Sequence, residues 1–320
     1  MSFLRISVAL AAAMVLALPA WAQETRSFTD DAGRTVEIPV HPEAIASLQD
    51  LSITVPLLEL GVYPVASHGR TTEEGEGFIR SSKVLTGIDF DNSDIQFVGN
   101  LPVDVEAVAA AEPDLIITTP WQTAPVEQLE AIAPTIVLDD TVRGDFGMYE
   151  ALAEITGTTD TLAVLEGRYE SQIEQIRRLI DTQSISVNVI QGVEGEVLSW
   201  HTYGGLGRVL RDAGFTFPDR VEAIEEGQFA RMSAEALPEL DADFLFVTYR
   251  TATLETPQDA LGHLEQVMPN FCEFLHACRE NQMIVMPREE ASASSYYALG
   301  VMAYTVISHI SGRRFEPMPE

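Results

Sequence analysis

The sequence predicts an α/β protein of two similar lobes with one long helix between them in sequence, and three observations carry that prediction. First, VDVEAVAAAEPDLIITT at 103–119 has an echo 129 residues downstream, MSAEALPELDADFLFVT at 232–248. In each copy a cap-type residue (Asp104, Ser233) stands two places before a glutamate (Glu106, Glu235). An aspartate (Asp114, Asp243) follows eight residues after the glutamate and opens an apolar run. Asp and Ser can cap the free N–H groups of a helix, and LIITT or FLFVT suits a sheet interior, so each copy reads as a short helix feeding a buried strand. Second, helix-like and strand-like segments alternate, which argues for a mainly parallel sheet covered by helices. Third, Leu162, Leu165, Tyr169, Ile173, Ile176 and Ile180 step by three or four, with Glu166, Arg168, Glu170, Glu174, Arg177 and Arg178 between them. That is an amphipathic helix of about six turns with one side buried. It lies between the echoing halves, either as one more surface helix or as a rigid connector that permits small rigid-body closure.

Residues 1–22 read as a signal peptide: one positive charge at Arg5, the run VALAAAMVLALPA, and Ala20-Trp21-Ala22 as an A-x-A cleavage signal. The mature chain is expected to start at Gln23 and to reside in a bacterial periplasm. A lipoprotein is not expected, since the two cysteines, Cys272 and Cys278, lie far from that site. Later apolar runs are broken by Asp, Glu, Gly or Pro before the roughly 18 residues a membrane span needs, so no membrane insertion is expected.

Next, SFTDDAGRTVEIPV reads as a β-hairpin turning at Asp31-Ala32-Gly33, and Pro42 introduces IASL as a first strand. Helix 52–60, strand 62–66, helix 103–111, strand 114–119, helix 125–133, strand 135–139 and helix 146–156 complete an N-terminal α/β lobe over 23–157. Gly157 closes it, and Thr158 or Thr159 can cap the connecting helix, 158–182. The C-terminal α/β lobe, 183–320, restarts with strands 187–193 and 196–200. Helix 205–213, the echoed helix 233–240, strand 244–249, helices 257–267 and 269–278, strand 283–286 and a last helix near 294–311 follow.

The charge is extreme: 49 Asp plus Glu against 19 Lys plus Arg give −30, or −31 once Arg5 leaves with the leader. Nucleic acid is excluded as a partner, because phosphate binding depends on a basic surface. All basic residues but Lys83 are Arg, whose fork matches carboxylates and related oxyanions, so any Arg in a cleft is a candidate anion binder. Cys272 and Cys278 lie six apart, on different faces of an unbroken helix. Oxidising export permits a disulfide only if the helix breaks near Leu275.

No nucleophile elbow, phosphate loop or zinc-protease helix is present. Gly204-Gly205-Leu206-Gly207 opens a helix after EVLSW but lacks the third glycine and the later acid of a dinucleotide fingerprint. It serves either to hold an anion at a helix N-terminus or to allow a tight turn and close packing. The six histidines (41, 68, 201, 263, 276, 309) form no ligand pair, so no metal site is expected.

An exported leader, DDAGRTVEIPVHPEAIASL at 30–48, LGVYPVAS at 60–67, VGNLPVDVEAVAAAEPDLIITT at 98–119, the central helix and MSAEALPELDADFLFV at 232–247 occur in that order. Together they resemble the periplasmic substrate-binding proteins of ABC transporters for iron–siderophore complexes and vitamin B12. The resemblance covers nearly the whole mature chain and rests most on the DxxGRxVxIPxxP opening and the two E-x7-D segments. It implies two Rossmann-like α/β lobes joined by one long connecting helix, the helical-backbone periplasmic binding protein fold. It also implies that Glu106 and Glu235, one at the tip of each lobe, dock on arginines of an inner-membrane ABC permease. Without the resemblance, both glutamates simply favour helix N-termini.

A ligand is expected between the lobes, at the carboxyl ends of the strands, where open α/β sheets bind. Loops leaving those ends hold His68 and Arg70, Trp121, His201 and Tyr203, Tyr249 and Arg250, and Arg288, while Arg231 precedes the second echoed helix. The candidate ligand set is Arg70, Trp121, His201, Tyr203, Arg231, Tyr249, Arg250 and Arg288. Guanidinium groups would pair with anionic oxygens of a ferric siderophore, and aromatic rings would cover its apolar sides. Each residue has a plainer role too: Tyr249 could finish a core strand, and an Arg in so acidic a chain can neutralise a neighbouring carboxylate. The iron arrives chelated, so no cofactor is implied.

Hydroxamate-binding relatives carry an arginine between the VG pair and the echoed glutamate, where this chain has Asn100, Leu101 and Pro102. SWHTYGGLGRVLRDAGF and VTYR instead resemble ferric-citrate-type binders, which favours a carboxylate siderophore and leaves hydroxamate and catecholate open. The expected function is a monomeric, non-catalytic receptor delivering a ferric siderophore to an ABC importer. Haem, with Tyr203 or His201 as axial ligand, or cobalamin is the alternative cargo. An exported α/β enzyme acting on a small anion is the alternative of another class, but no catalytic constellation assembles from this sequence.

Overall fold

The structure, a computed structural model, describes residues 24–319; the leader and its cleavage site lie outside the described residues. The chain opens on the antiparallel hairpin Thr25–Thr29 and Thr35–Pro39, with Gly33 supplying the positive φ of 77° that the turn requires. Asp30 explains the rest of the opening motif. Its carboxylate accepts from the backbone N of Arg34 at 2.9 Å and of Val137 at 3.1 Å, and Arg34 donates to Thr135 O at 3.1 Å. The Asp30–Arg34 pair thus clasps the hairpin to the edge of the first sheet.

That sheet has five parallel strands in the spatial order Gln96–Phe97, Ala66–Ser67, Ile45–Ser47, Leu115–Thr118, Thr135–Val137. Numbered along the chain this is 3-2-1-4-5, the doubly wound order with a crevice between the first and fourth strands. The second sheet keeps the same order: Phe229–Met232, Glu196–Trp200, Val187–Val193, Phe244–Tyr249, Met283–Pro287. Here, however, the second strand runs antiparallel to the first, because the short turn at Glu194-Gly195 returns it directly.

The echoed aspartates have matching tasks. Asp114 accepts from the backbone N of Glu43 at 2.8 Å and Ala44 at 3.0 Å, just before the first strand of its sheet. Asp243 does the same to Ser186 N at 2.7 Å, before the first strand of the other sheet. Each ties the start of strand four to the start of strand one.

The connecting helix spans Thr159–Leu179 and buries Leu162, Leu165, Ile173 and Ile176. One apolar core runs from Ile45 and Leu115, past Ile176, to Phe244 and Leu299, so the lobes share their interior. Each such side chain contributes about 1.5–3 kcal/mol on burial. A second weld is polar: the buried Glu59 accepts from Tyr149 Oη at 2.7 Å, Tyr296 N at 2.9 Å and Tyr297 N at 3.2 Å. A carboxylate of one lobe thereby caps the last helix of the other, Tyr296–Ile310. Burial pushes the Glu59 carboxyl up, against the lowering effect of those bonds.

Several elements differ from expectation. The second echoed helix, Ala234–Leu240, is 3-10 rather than α, with Pro238 inside it and no N–H to donate there. The expected helix 269–278 breaks at Leu275 (ψ 123°) into Phe271–Phe274 and His276–Arg279. The break brings the Cα atoms of Cys272 and Cys278 to 5.0 Å, and the disulfide forms. Gly204 and Gly205 serve close packing: a Cβ at Gly204 would lie 2.3 Å from Ser292 O, and one at Gly205 2.6 Å from Ala293 O. Residues 70–97 hold short strands and turns that periodicity did not reveal, and Phe229–Met232, to which the sequence assigns no element, is an edge strand.

Candidate functional site

Chain ends of the first sheet converge where its strand order reverses. Gln49 follows the strand Ile45–Ser47, His68 and Arg70 follow Ala66–Ser67, and Trp121 follows Leu115–Thr118. They line a cavity of about 700 Å³ whose other wall is Glu226–Gln228 of the C-terminal lobe. Gln122, buried beneath it, pins two loops to its own: its Nε2 donates to Leu48 O at 3.4 Å and Asn100 O at 3.2 Å, and its Oε1 accepts from Val103 N at 3.1 Å. A smaller cavity shares Gln49, Asp140 and Asp145 with it and reaches Ser292–Ser295.

Two arginines enter the cavity in contrasting states. Arg80 grips Asp50, Nε to Oδ2 at 2.8 Å and Nη2 to Oδ1 at 2.5 Å, while His68 Nδ1 faces the same carboxylate at 3.4 Å. Burial alone would push the Asp50 carboxyl up, but Arg80 and His68 outweigh it and hold it well below the usual carboxylate range. Arg70 instead donates from Nη1 to the neutral Oδ1 of Asn100 at 2.9 Å. It makes no ion pair among the described residues. Its charge is therefore open to a ligand. Trp121, 60 % exposed, stands at the rim with its indole N–H donated to Asp140 at 3.0 Å, presenting a ring to whatever enters.

The other expected ligand residues are dispersed. Arg231 lies on the edge strand and is exposed, paired with Glu196 at 3.1 Å and Glu194 at 3.4 Å. Arg250 pairs with Glu255 and lines a separate cavity of about 370 Å³ with Gln191 and His263. Tyr203 is buried, its hydroxyl 3.0 Å from both Gln191 Nε2 and Thr248 Oγ1, and burial pushes that hydroxyl up. Arg288 stands beside it. Tyr249 ends its strand half-buried, and the half-buried His201 places Nδ1 3.0 Å from Thr202 Oγ1. Arg80, Asp50 and Gln122 escaped sequence reasoning, which met Asn100 only as a departure from the hydroxamate-binding relatives. Arg80 sits in the stretch without periodicity, and no spacing links Asp50 to it.

The profile of a family described as periplasmic binding protein matches residues 89–289. The chain belongs to the periplasmic binding protein family. It is similar to the iron(3+)-hydroxamate-binding protein YxeB of Bacillus subtilis, 26 % identical over 234 residues that cover 70 % of this chain and 67 % of YxeB. It is also similar to the ferric enterobactin-binding periplasmic protein FepB of Escherichia coli, 28 % identical over 205 residues, 60 % of this chain and 61 % of FepB. Staphylococcus aureus SirA complexed with staphyloferrin B shares the fold at a TM-score of 0.70 and 21 % identity, covering 89 % of this chain and 98 % of SirA.

A member of this binding-protein family is not an enzyme. As a periplasmic binding protein, the chain also exposes both echoed glutamates, in different settings. Glu106 follows the Asp104 cap, which accepts from Glu106 N at 2.9 Å and Ala107 N at 3.2 Å. Glu235 has its carboxyl held below the ordinary glutamate value by the Ser233 hydroxyl.

Proposed function

We propose that this protein holds a carboxylate-type iron(III)–siderophore complex between its lobes and passes it to an inner-membrane ABC permease. The chain is an iron–siderophore substrate-binding protein of ABC import, and it acts outside the cytoplasm. An anionic ligand is supported by one observation: Arg70 brings a guanidinium without a carboxylate partner into the interlobe cavity that Trp121 also lines. Within that class, the likeness of SWHTYGGLGRVLRDAGF and VTYR to ferric-citrate-type binders favours a carboxylate siderophore. Haem fits less well, because the Tyr203 hydroxyl is sealed by Gln191 and Thr248.

The same reading has the mature chain soluble and monomeric in the periplasm, with Glu106 and Glu235 as its docking charges. Tryptophan fluorescence with iron-loaded and iron-free citrate, hydroxamate and catecholate chelators tests the ligand. Ferric citrate is expected to bind most tightly, and every loaded form better than its empty chelator. Indifference to iron would sink the siderophore reading, and a hydroxamate or catecholate winner would sink the carboxylate one. Reversing both glutamates (Glu106→Arg with Glu235→Arg) is expected to stop uptake while ligand affinity stays, and uptake that persists removes the docking role.

A further inference from the structure

We infer that Asn100 is the residue that sets the charge selectivity of the cavity, acting as a positioning residue that holds Arg70 without neutralising it; this deepens, and rests on, the proposed anionic ligand. Two arginines share one cavity, and their partners differ by little more than an amide for a carboxylate. At Asp50 the carboxylate takes the Arg80 guanidinium, with His68 Nδ1 3.4 Å away, and Arg80 is cancelled by its partner. At Asn100 a guanidinium and the other nitrogen of the same imidazole converge on one oxygen: Arg70 Nη1 at 2.9 Å and His68 Nε2 at 3.1 Å. An arginine N–H can only donate, so the oxygen end of the amide faces it, and His68 donates from Nε2. The geometry is that of an ion pair with the negative charge left out.

The surrounding backbone makes this arrangement specific to position 100. Gly69 N donates to Gly99 O at 3.0 Å, joining the loop of Arg70 to the loop of Asn100. A Cβ at Gly69 would lie 2.6 Å from Phe78 O, so glycine there lets the Phe78 backbone pack against the loop that carries Arg70. Gly99, with φ at 95°, turns the chain towards the cavity, and Gln122 Nε2 holds Asn100 O at 3.2 Å. The backbone around Asn100 is thus held by Gly69 and Gln122, and its side chain by Arg70 and His68, before any ligand arrives. Asp in its place would keep the shape and both hydrogen bonds, and would make them charge-assisted. The cavity would then hold two cancelled arginines and lose its attraction for an anion.

The test compares affinities for two ferric complexes of opposite charge, the anionic ferric citrate and the cationic ferrioxamine B, in wild type, Asn100→Asp, Arg70→Gln and the double variant. Asn100→Asp is expected to lower the ratio of citrate to ferrioxamine affinity at least tenfold. In the Arg70→Gln background it is expected to add less than twofold, since no guanidinium remains to cancel. A folded Asn100→Asp protein whose ratio stays within twofold of wild type overturns the inference and leaves the siderophore reading intact. Wild type that binds neither complex overturns the siderophore reading itself. If Asn100→Asp does not fold, Asn100→Ser decides: a neutral side chain must retain the preference for ferric citrate, and its loss means that shape, not charge, was the role of Asn100.

Discussion

In the N-terminal lobe all five strands run parallel, so the chain leaves the first, second and fourth strands at one end and delivers Gln49, His68, Arg70 and Trp121 to a single cavity. In the C-terminal lobe the strand order is the same, but a hairpin replaces the first crossover. Its turn residue Glu194, with Glu196, is spent on Arg231, and Glu255 on Arg250. Whether an arginine is available to a ligand therefore depends on which connection carries it and what stands beside that connection. The sequence contains arginines at comparable places in both lobes, yet only the parallel lobe sets one against a neutral partner in the shared cavity.

The comparison can be tested at four points of falling magnitude. Asp50→Asn leaves Arg80 and His68 facing a neutral group and is expected to cost about 3 kcal/mol in urea unfolding, as for the loss of one partner from a buried pair. The folded Asp50 carboxyl lies below its ordinary value of 3.8, so it binds protons less readily folded than unfolded. Its stabilisation is whole above pH 3.8 and is lost as pH falls through the folded value, so the gap to Asp50→Asn must narrow only in strong acid. A gap that widens on acidification contradicts this account. In the other lobe, Cys272→Ser opens a loop of six residues' separation. By chain entropy that is expected to cost about 2 kcal/mol, read from the denaturation midpoint with and without reductant.

Arg70→Gln sharpens the contrast in binding. It is expected to weaken ferric citrate about tenfold, ~1.4 kcal/mol, whereas Arg231→Gln changes affinity less than about twofold because its partners are carboxylates of its own lobe. Equal losses at the two arginines would erase the distinction between the lobes. The smallest effect is Tyr203→Phe, which removes one partner from Gln191 and Thr248 while leaving them bonded to each other, and is expected to lower stability by about 1 kcal/mol with ligand affinity little changed. A large loss of affinity there would return Tyr203 to the binding surface.

Much of the fold was legible because it is written in local patterns. The Glu106 and Glu235 segments, the Leu162-to-Ile180 periodicity and the alternating elements each specify their own structure, and the structure has all three. Residues 70–97 were not legible: their strands are two residues long and their helix only four, too short for any period to register. The site was read less well for a related reason. Arg70 and Trp121 reach the cavity from loops that follow strands, the places from which the sequence expects ligand residues. Asp50, Arg80 and Asn100 act through partners 30 residues away in sequence, and no spacing rule links an amide at 100 to a guanidinium at 70. The strand of Arg231 was not legible because, exposed at Phe229 and Arg231, it shows none of the apolar continuity of a central strand.

The uninterrupted interior that passes from Ile45 through Ile176 to Leu299 bears on how the molecule can be taken apart. Half of it cannot stand alone, since cutting at Gly157 would strip oil-facing surface from both pieces at once. Heat should accordingly disassemble the two lobes together, as one calorimetric peak. Recombining lobes from different relatives would succeed only where the seam along the connector is exchanged with them.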